Sequence, residues 1–529
     1  MVQTSRVAKS MKNTIFGMIG LFCNLIVSFI ARSIFIRILG AEYNGVNGLF
    51  SNVLQILNLA ELGFAGSIAY ALYKPLQSGD EKTAAMLMDY FAKIYRAVAL
   101  IVAVAGCCCI PFLQYLISED ISELSFSLNE LRIYFAIYLA NTVCSYLLAY
   151  KRTIITADQN SYLVTNVDNI CNIVLNVLQI ILLYLTRNFY AYLIIMVAKT
   201  VINNVIIHII ATKRYPYLSR YKKEKLPKEE RTAIFKNVQA LFLHKIGGTV
   251  ILSTTSIVIS AFVSLFDAGK YSNYLMIVNN VNNFINIVFN STTASIGNLC
   301  LSDDKEYQYI VFNRISYLSN FFAVFTLVCY MCLFNDFITI WLGEDMQFKA
   351  LIVFAISLKG FVEYVRKTVL TFKDAMGLFR QDWFKPLLEA AIGISLAIGL
   401  SYVWGTFGVI IGYTLATIFI AIPVENFVLF KYGLKRSMLG QIVRLLVTTA
   451  LAVALMALTY FICSFIPDGI GWFILEFIFV VIFAAGVYIL LTCRTSEFKY
   501  YVGLVKSIIG KLLKRRNVKI PTDNEGDNS

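Results

Sequence analysis

The chain has 529 residues, 58% of them hydrophobic, and its formal net charge is +14 at pH 7. Its mean hydropathy is +0.69, and apolar stretches of about 20 residues, the length that crosses a bilayer as a helix, recur along nearly the whole chain. This excludes a soluble protein with one core, and because no basic-aromatic module is visible, the charge does not indicate nucleic-acid binding. Only helices and closed barrels satisfy their own backbone groups in lipid, so we predict an all-α polytopic membrane protein.

The apolar stretches predict about fourteen transmembrane helices. The first is expected to be an uncleaved span, since no small-residue cleavage pattern follows its charged start. In chain order the spans lie near 14–38, 45–72, 90–117, 131–150, 163–185, 190–212, 241–265, 272–297, 316–338, 348–370, 384–404, 407–430, 440–465 and 471–492.

Lys and Arg concentrate in alternate loops between these spans, and the remaining loops are short and neutral or acidic. The run from Lys213 to Lys236 belongs to the basic set, whereas Glu119 and Asp120 belong to the other. Basic loops stay on the cytoplasmic side of a membrane. Both termini are therefore expected to be cytoplasmic.

Two pairs of similar segments indicate an internal repeat. Leu39–Tyr43 at the start of the second span resembles Asp267–Tyr271 at the start of the eighth, and Lys151–Thr156 at the end of the fourth resembles Arg366–Thr371 at the end of the tenth. Because the two members of each pair are separated by a similar number of residues, we predict two six-helix lobes around a central cavity plus two extra C-terminal helices. The predicted domains are an N-lobe 1–212, a basic cytoplasmic linker 213–238, a C-lobe 239–436, a helix pair 437–492 and a basic cytoplasmic tail 493–529.

Polar residues three or four positions apart form stripes on several spans, where they share one helix face. Such stripes either hold membrane helices together by hydrogen bonds or line a hydrated cavity, and the sequence leaves both readings open. Further stripes on the fifth and seventh spans include Asn176, Gln179 and Ser256. The residues we predict to line a passage for a hydroxyl-rich ligand are Asn24, Ser28, Ser51, Gln55, Asn58, Asn279, Asn283, Asn286 and Asn290.

Cationic side chains within or near the spans are the second polar feature. A charge at membrane depth is costly and marks a pathway or a partner, and Arg matches phosphate oxygens with a bidentate fork. Local pairing is the alternative, since Lys359, Glu363 and Lys367 are spaced to pair along one face. The candidate ligands of a diphosphate are Arg32, Arg37, Lys199, Lys245, Lys359 and Arg366.

Acids inside the spans could bind a coupling ion, because a buried carboxyl can exchange a proton. Our candidates are Glu61, Asp168 and Glu389. Most of the 11 cysteines lie in apolar spans and are expected to be buried free thiols. With only His208 and His244 available, no metal constellation of the usual spacing is present, and no cofactor is predicted.

Three segments are distinctive: Arg32–Gly45 and Asn58–Phe64 in the first two spans, and Ala268–Ser272 in the eighth. They resemble the corresponding segments of the polysaccharide (Wzx-type, O-antigen) flippases, in the multidrug/oligosaccharidyl-lipid/polysaccharide (MOP) exporter superfamily. It implies two six-helix lobes in a V, a cationic lumen, and flipping of an undecaprenyl-diphosphate-linked oligosaccharide across a bacterial plasma membrane, driven by an ion gradient. Arg32 and Arg37 match the arginines of the family's first span. We expect a monomer among membrane lipids, with a proton or sodium as the coupling ion and a polysaccharide polymerase as a partner.

Three alternatives remain at this point. A multidrug cation antiporter of the same superfamily needs acids in a neutral cavity, whereas the first span offers Arg32 and Arg37. A peptidoglycan-precursor (lipid II) flippase would share the cationic cavity. A membrane-embedded glycosyltransferase or polymerase is disfavoured, since the outer loops are short and no nucleophile–base constellation or phosphate-binding glycine loop is found. We therefore predict that the protein is not an enzyme.

Overall fold

The computed structural model describes residues 2–58, 64–221, 226–300, 304–378, 381–467 and 469–516, and within these ranges the chain is helical and contains no strand. The α-helices are α1 Val2–Leu39, α2 Ala41–Leu57, α3 Phe64–Ser78, α4 Glu81–Cys109, α5 Leu128–Ala157, α6 Ser161–Thr186, α7 Phe189–Arg214, α8 Tyr217–Arg220, α9 Lys228–Phe262, α10 Leu265–Cys300, α11 Lys305–Leu342, α12 Ala350–Val365, α13 Lys367–Ala375, α14 Lys385–Ala416, α15 Ile422–Val428, α16 Leu439–Cys463, α17 Ile470–Thr492 and α18 Ser496–Arg516.

Nine helical segments of the described chain are long and apolar enough to cross a membrane. This confirms the prediction of an all-α polytopic membrane protein. Helix α9 falls outside that set because its apolar part in the described chain, Thr249–Phe262, is shorter than 18 residues. Helix α10 also falls outside it, and its stripe of asparagines lowers its hydropathy. The predicted span near 45–72 consists of α2 and α3, and the one near 348–370 consists of α12 and α13.

Side-chain caps fix where two of the helices begin. The Asp80 carboxylate accepts from the Thr83 backbone N–H at 3.0 Å and begins α4. Hydrogen bonds from Thr83 hold the pKa of Asp80 below its usual value. At the start of α5, Ser127 and Glu130 form a capping box that satisfies two otherwise unpaired N–H groups. These polar caps lie in the connections that separate the apolar helices.

The chain reverses direction within α14, at Gly405, whose φ of 56° is open to glycine. A Cβ on Gly412 would lie 2.6 Å from the backbone N of Ala397, and one on Gly393 would lie 2.9 Å from the Tyr413 ring. In a straight helix Ala397 and Gly412 would be about 22 Å apart. The two halves are therefore an antiparallel pair, as the separate spans 384–404 and 407–430 predicted.

Substituting Gly412 by alanine is expected to lower the melting temperature of the purified protein by several degrees, because the new methyl overlaps the backbone of Ala397 and overpacking costs roughly 1–3 kcal/mol. Gly399→Ala on the same helix is the matched control, since its Cβ would meet nothing within 4 Å. Thermal denaturation in detergent measures both variants. Equal melting temperatures would contradict the close approach of the two halves.

Clustering of backbone contacts divides the chain into two compact units. Unit 1 comprises Met1–Phe284, Ile338–Ala355 and Phe379–Val424, and unit 2 comprises Ile285–Phe337, Ile356–Leu378 and Glu425–Ser529. In unit 1, α1 packs on α6, α5 packs on α4 and α7, and α9 packs on α2 and α14. These packings, together with hydrogen bonds from Asn44 on α2 to α10, bring the polar faces of α1, α2, α6, α7 and α10 to one region, which is described below.

Unit 2 has an aromatic core in which the Phe312 ring meets the rings of Phe372 and Phe430 at 5.3 and 5.5 Å. The segment we expected to be a cytoplasmic tail contains α18, which packs through Tyr501: its ring stacks on Tyr317, and its hydroxyl donates to the Arg314 carbonyl at 3.1 Å. Helix α9 likewise begins inside the expected linker.

Candidate functional site: a polar cavity in unit 1

A cavity of about 530 Å³ lies among α1, α2, α6, α7, α9 and α10. Five of the residues predicted to bind the diphosphate or to line the passage are on its wall: Ser28, Arg32, Ser51, Lys199 and Asn279. The other lining residues are Ala31, Phe35, Asn47, Gly48, Asn52, Asn176, Gln179, Tyr192, Ser256, Ser272, Leu275, Met276 and Asn280. Amide and hydroxyl groups predominate, so the walls can hydrogen-bond a hydroxyl-rich ligand.

Arg32 is held in place by neutral groups. Its guanidinium donates to the Asn44 side-chain oxygen and, at 3.4 Å, to the Ser272 hydroxyl. The Asn44 amide in turn donates to the Gly269 carbonyl at 2.8 Å and to the Asn273 side chain at 3.1 Å. Since a guanidinium has five N–H donors, these bonds orient Arg32 without neutralising it.

Lys199 is the second cation on the cavity wall. Its ammonium group donates to the Asn176 side-chain oxygen at 3.3 Å, which is a long bond to a neutral partner. The lining contains Arg32 and Lys199 and, among the described residues, no Asp or Glu. Two cations in a partly desolvated space without a lining carboxylate create a strong positive potential. The arrangement suits an anion.

Aromatic contacts shape the wall beside Arg32. The Tyr192 ring lies 4.7 Å from the Phe35 ring in an edge-on contact. The Tyr138 hydroxyl donates to the side chain of Asn47 at 2.5 Å. These contacts fix the positions of the Asn47 amide and of the Tyr192 ring on the cavity wall. The hydropathy pattern did not distinguish Tyr192 from other apolar positions.

Close packing of α2 against α10 closes the structure next to Arg32. A Cβ on Gly269 would lie 2.5 Å from the Ala41 carbonyl oxygen, and one on Gly45 would overlap the Leu265 carbonyl. These glycines flank Asn44, so their close approach places its amide against Gly269 and Arg32. The two helices that meet here, α2 and α10, begin at the two similar segments Leu39–Tyr43 and Asp267–Tyr271. The sequence did not predict that these segments lie in contact.

The remaining polar positions from the sequence lie elsewhere. Asn24 donates to the side chain of Asn169 at 2.6 Å and joins α1 to α6. Gln55 and Asn283 are exposed and are not among the cavity-lining residues, and Asn58 ends α2. In unit 2, Asn286 accepts from the Lys367 ammonium group at 2.7 Å. The side chains of Lys245 and Asn290, and the whole of Glu61, lie outside the described residues.

Two of the three predicted coupling acids, Asp168 and Glu389, lie in the described chain, and each has a cationic partner. Asp168 receives two hydrogen bonds from Arg152, at 2.8 and 2.9 Å, and one from Asn203 at 2.7 Å. Glu389 is 4% exposed, pairs with Lys385 at 3.4 Å and accepts from Thr417 at 2.9 Å. Asp168 lies next to the cavity, because it bonds to Asn203 on α7, the helix that also carries the cavity residue Lys199. Glu389 lies in the antiparallel pair formed by the two halves of α14.

Three predicted cations whose side chains are described do not line the cavity. Arg37 is exposed in the last turn of α1, and Lys359 is half-buried in α12. Arg366 donates twice to Glu425, at 2.5 and 3.1 Å, and the Glu425 side chain is completely buried. This bidentate pair compensates the charge of Arg366 within unit 2.

Replacing Glu425 by glutamine is expected to destabilise the protein by about 3 kcal/mol or more, because it leaves the charge of Arg366 without its buried counter-ion. Glu306→Gln is the matched control, since Glu306 is 67% exposed in its pair with Arg436 and such surface pairs contribute little. Chemical denaturation of the whole protein, followed through the aromatic residues of unit 2, measures the difference in unfolding free energy between the two variants. A control that loses as much stability as Glu425→Gln would contradict this reading.

A helical polytopic protein with a polar, positively charged cavity is the kind of molecule found among membrane transporters, and comparisons with known structures show the same fold. The lipid II flippase MurJ in an inward closed conformation is similar with a TM-score of 0.61 and 16% identity, over 90% of this chain and 99% of MurJ. An inward-facing MATE-family multidrug resistance transporter of the MOP superfamily gives 0.59 and 14%, over 80% of this chain and 98% of the other. A mutant of the Vibrio cholerae MATE transporter VcmN gives 0.53 and 14%, over 82% and 99%.

Residues 10–293 match the family described as Polysaccharide biosynthesis protein. The chain belongs to this family. The match confirms the predicted resemblance to a polysaccharide-biosynthesis family, and the similar structures confirm the predicted fold. A search of curated proteins finds no match.

Proposed function

We propose that the protein is a flippase that moves an undecaprenyl-diphosphate-linked oligosaccharide across the bacterial plasma membrane, for surface polysaccharide biosynthesis. The proposal depends on one observation: both Arg32 and Lys199 line the cavity, and no carboxylate of the described chain lines it. Membership of the polysaccharide biosynthesis family supports the glycan part of the proposal.

In this proposal the diphosphate binds between Arg32 and Lys199. Arg32 keeps its charge when desolvated and presents N–H groups in a fork that fits phosphate oxygens, whereas Lys199 acts as a compact point charge. The amides of Asn176, Gln179 and Asn279 then bond the sugar hydroxyls. The lipid tail stays in the hydrocarbon, because drawing it into a polar cavity would remove its favourable environment.

Translocation requires a second conformation in which α2 and α10 separate, since their glycine contact closes the structure beside Arg32. An ion gradient would drive this alternating access. Asp168 is the coupling acid that we favour, because Asn203 connects it to the wall that carries Lys199. Protonation would weaken its ion pair with Arg152. Glu389 and Glu61 remain further candidates, and both termini are proposed to be cytoplasmic.

A reconstituted flipping assay tests the function. Proteoliposomes would contain undecaprenyl diphosphate carrying one fluorescent N-acetylhexosamine, and a membrane-impermeant quencher would report the fraction in the outer leaflet. We expect the protein to exchange the probe between leaflets, faster with a proton or sodium gradient. Exchange no faster than in protein-free liposomes, combined with gradient-driven uptake of an organic cation, would favour a multidrug antiporter.

A lipid II flippase is the second candidate, because the structural similarity to MurJ covers 90% of this chain. Lipid II also carries a diphosphate, so Arg32 and Lys199 fit both substrates. The same assay with fluorescent lipid II separates the two functions: faster exchange of lipid II than of the monosaccharide probe would favour this candidate.

A further inference from the structure

A second, smaller cavity of about 280 Å³ lies beside the first, between α5 and α7. We call it the side pocket. It is lined by Ser145, Tyr146, Ala149, Arg152, Lys199, Thr200, Asn203 and Asn204. Lys199 also lines the main cavity, so the two spaces share a wall residue. A group joined directly to an anion at Lys199 is therefore within reach of the side pocket.

The hydrogen bond to Asp168 fixes which way the Asn203 side-chain amide faces in this pocket. Its nitrogen lies 2.7 Å from Asp168, which is held by Arg152 and can only accept hydrogen bonds when ionised. The amide NH₂ must therefore face Asp168, and the amide oxygen must point away from it. That oxygen is buried and has no hydrogen-bond partner. A buried acceptor without a donor costs about 1–3 kcal/mol, which a ligand donor recovers.

The neutral donors of the pocket are already engaged. The Asn204 amide donates to the carbonyls of Cys144 and Ser145, the Ser145 hydroxyl donates to the Thr142 carbonyl, and the Thr200 hydroxyl donates to the Met196 carbonyl. Lys199 can still donate, and the Asn203 oxygen can still accept, so the pocket suits a ligand that both accepts and donates. A phosphate cannot donate to the Asn203 oxygen, and an ammonium ligand would be repelled by Lys199. A neutral hydroxyl-bearing group satisfies both conditions.

We infer that the side pocket binds the first sugar of the lipid-linked glycan, the one attached to the diphosphate, with a sugar hydroxyl donating to the Asn203 side-chain oxygen. This rests on the proposed function, because it places the diphosphate at Arg32 and Lys199. The side pocket then recognises the hydroxyl-rich residue next to the charge, whereas the rest of the glycan remains in the larger cavity. Specificity for the substrate would come from this pocket, and affinity for any lipid diphosphate would come from the two cations.

Binding of two probes to the full-length protein in detergent tests the inference, with native mass spectrometry as the readout. The probes are undecaprenyl diphosphate and undecaprenyl diphosphate carrying one N-acetylhexosamine. Wild-type protein is expected to bind the sugar-bearing probe about tenfold more tightly, as one or two recovered hydrogen bonds imply. Ala149→Leu places a larger side chain in the side pocket while keeping all of its polar residues, and it is expected to abolish that preference while the bare lipid diphosphate binds as before.

Ala140→Leu is the matched control, since Ala140 lies on the same helix but lines a separate apolar groove. Asn203→Leu is a second variant and should also remove the preference. If wild-type protein prefers the sugar-bearing probe and Ala149→Leu keeps that preference, the inference is overturned while the proposed function stands. Equal binding of the two probes by wild-type protein would overturn it as well. If wild-type protein binds neither probe, the proposed function fails and this inference fails with it.

Discussion

Arg32→Ala is expected to slow translocation of the lipid-linked probe about 100-fold or more, since two lost charge-assisted hydrogen bonds at roughly 1.5–3 kcal/mol each exceed the 1.36 kcal/mol that corresponds to a tenfold change. The protein should remain folded, because the partners of Arg32 among the described residues are Asn44 and Ser272, and Asn44 keeps its bonds to Gly269 and Asn273. Arg32→Lys should retain part of the activity, since it keeps the charge and loses the fork. Proteoliposome exchange measures the rates.

Arg220→Ala is the control for this series, because Arg220 is an exposed arginine at the end of α8, away from the cavity. Its removal changes the net charge by the same amount. A rate for Arg32→Ala within a factor of two of the control would contradict the role of Arg32.

Gly269→Val is expected to stop transport by preventing the contact between α2 and α10. The added side chain would begin 2.5 Å from the Ala41 carbonyl, and a backbone neighbour cannot move aside as a flexible side chain can. A penalty of only 3 kcal/mol would reduce the population of the closed contact more than 100-fold relative to the separated form. The protein would then be held in one of the two states that alternating access needs.

Ser272→Cys provides the readout, since Ser272 lies beside Arg32 behind this contact. Labelling by a membrane-impermeant maleimide from the side of the contact should be slow in the parent protein and fast when Gly269→Val is added. Gly297→Val on the same helix is the control, because a Cβ there meets nothing within 4 Å. Unchanged labelling together with normal transport would contradict the closure.

The fold could be predicted from hydropathy because each membrane helix must satisfy its own backbone groups. Every predicted span coincides with helix in the described chain, and the reversal at Gly405 appears as the gap between the spans near 384–404 and 407–430. The end of α2 at Leu57, inside the span predicted near 45–72, was not predicted, since apolar residues continue beyond it. Helix α18 was missed because its Lys and Arg residues lower its hydropathy to that of a tail.

The cavity was only partly predictable. Helical spacing correctly grouped Ser28 with Arg32, and it identified Ser51 and Asn279 as residues of polar faces. Spacing cannot report which faces meet, so Asn24 was expected in the passage although it bonds to Asn169. Asn44 was missed because its importance comes from the close approach of two glycines across helices.

Charge compensation lies beyond sequence spacing for the same reason. Glu425 follows Arg366 by many turns, and only the packing of unit 2 brings their side chains to 2.5 Å. Arg152 and Asp168 lie on different helices and pair at 2.8 Å. Roles in substrate binding for Arg37, Lys245 and Lys359 stay predictions.

The central claim is that the cavity is hydrated and positively charged, and the reaction rates of a cysteine placed in it test this most directly. Ser51→Cys puts a thiol on the lining of the cavity, at an exposed position. Its rates with anionic 2-sulfonatoethyl methanethiosulfonate and cationic 2-(trimethylammonium)ethyl methanethiosulfonate would be compared, each relative to the reaction with a free thiol. We expect the relative rate of the anionic reagent to be about tenfold or more above that of the cationic reagent, as in other electrostatically focused clefts. This preference should disappear when Arg32 and Lys199 are replaced by alanine. A faster reaction with the cationic reagent would contradict the central claim.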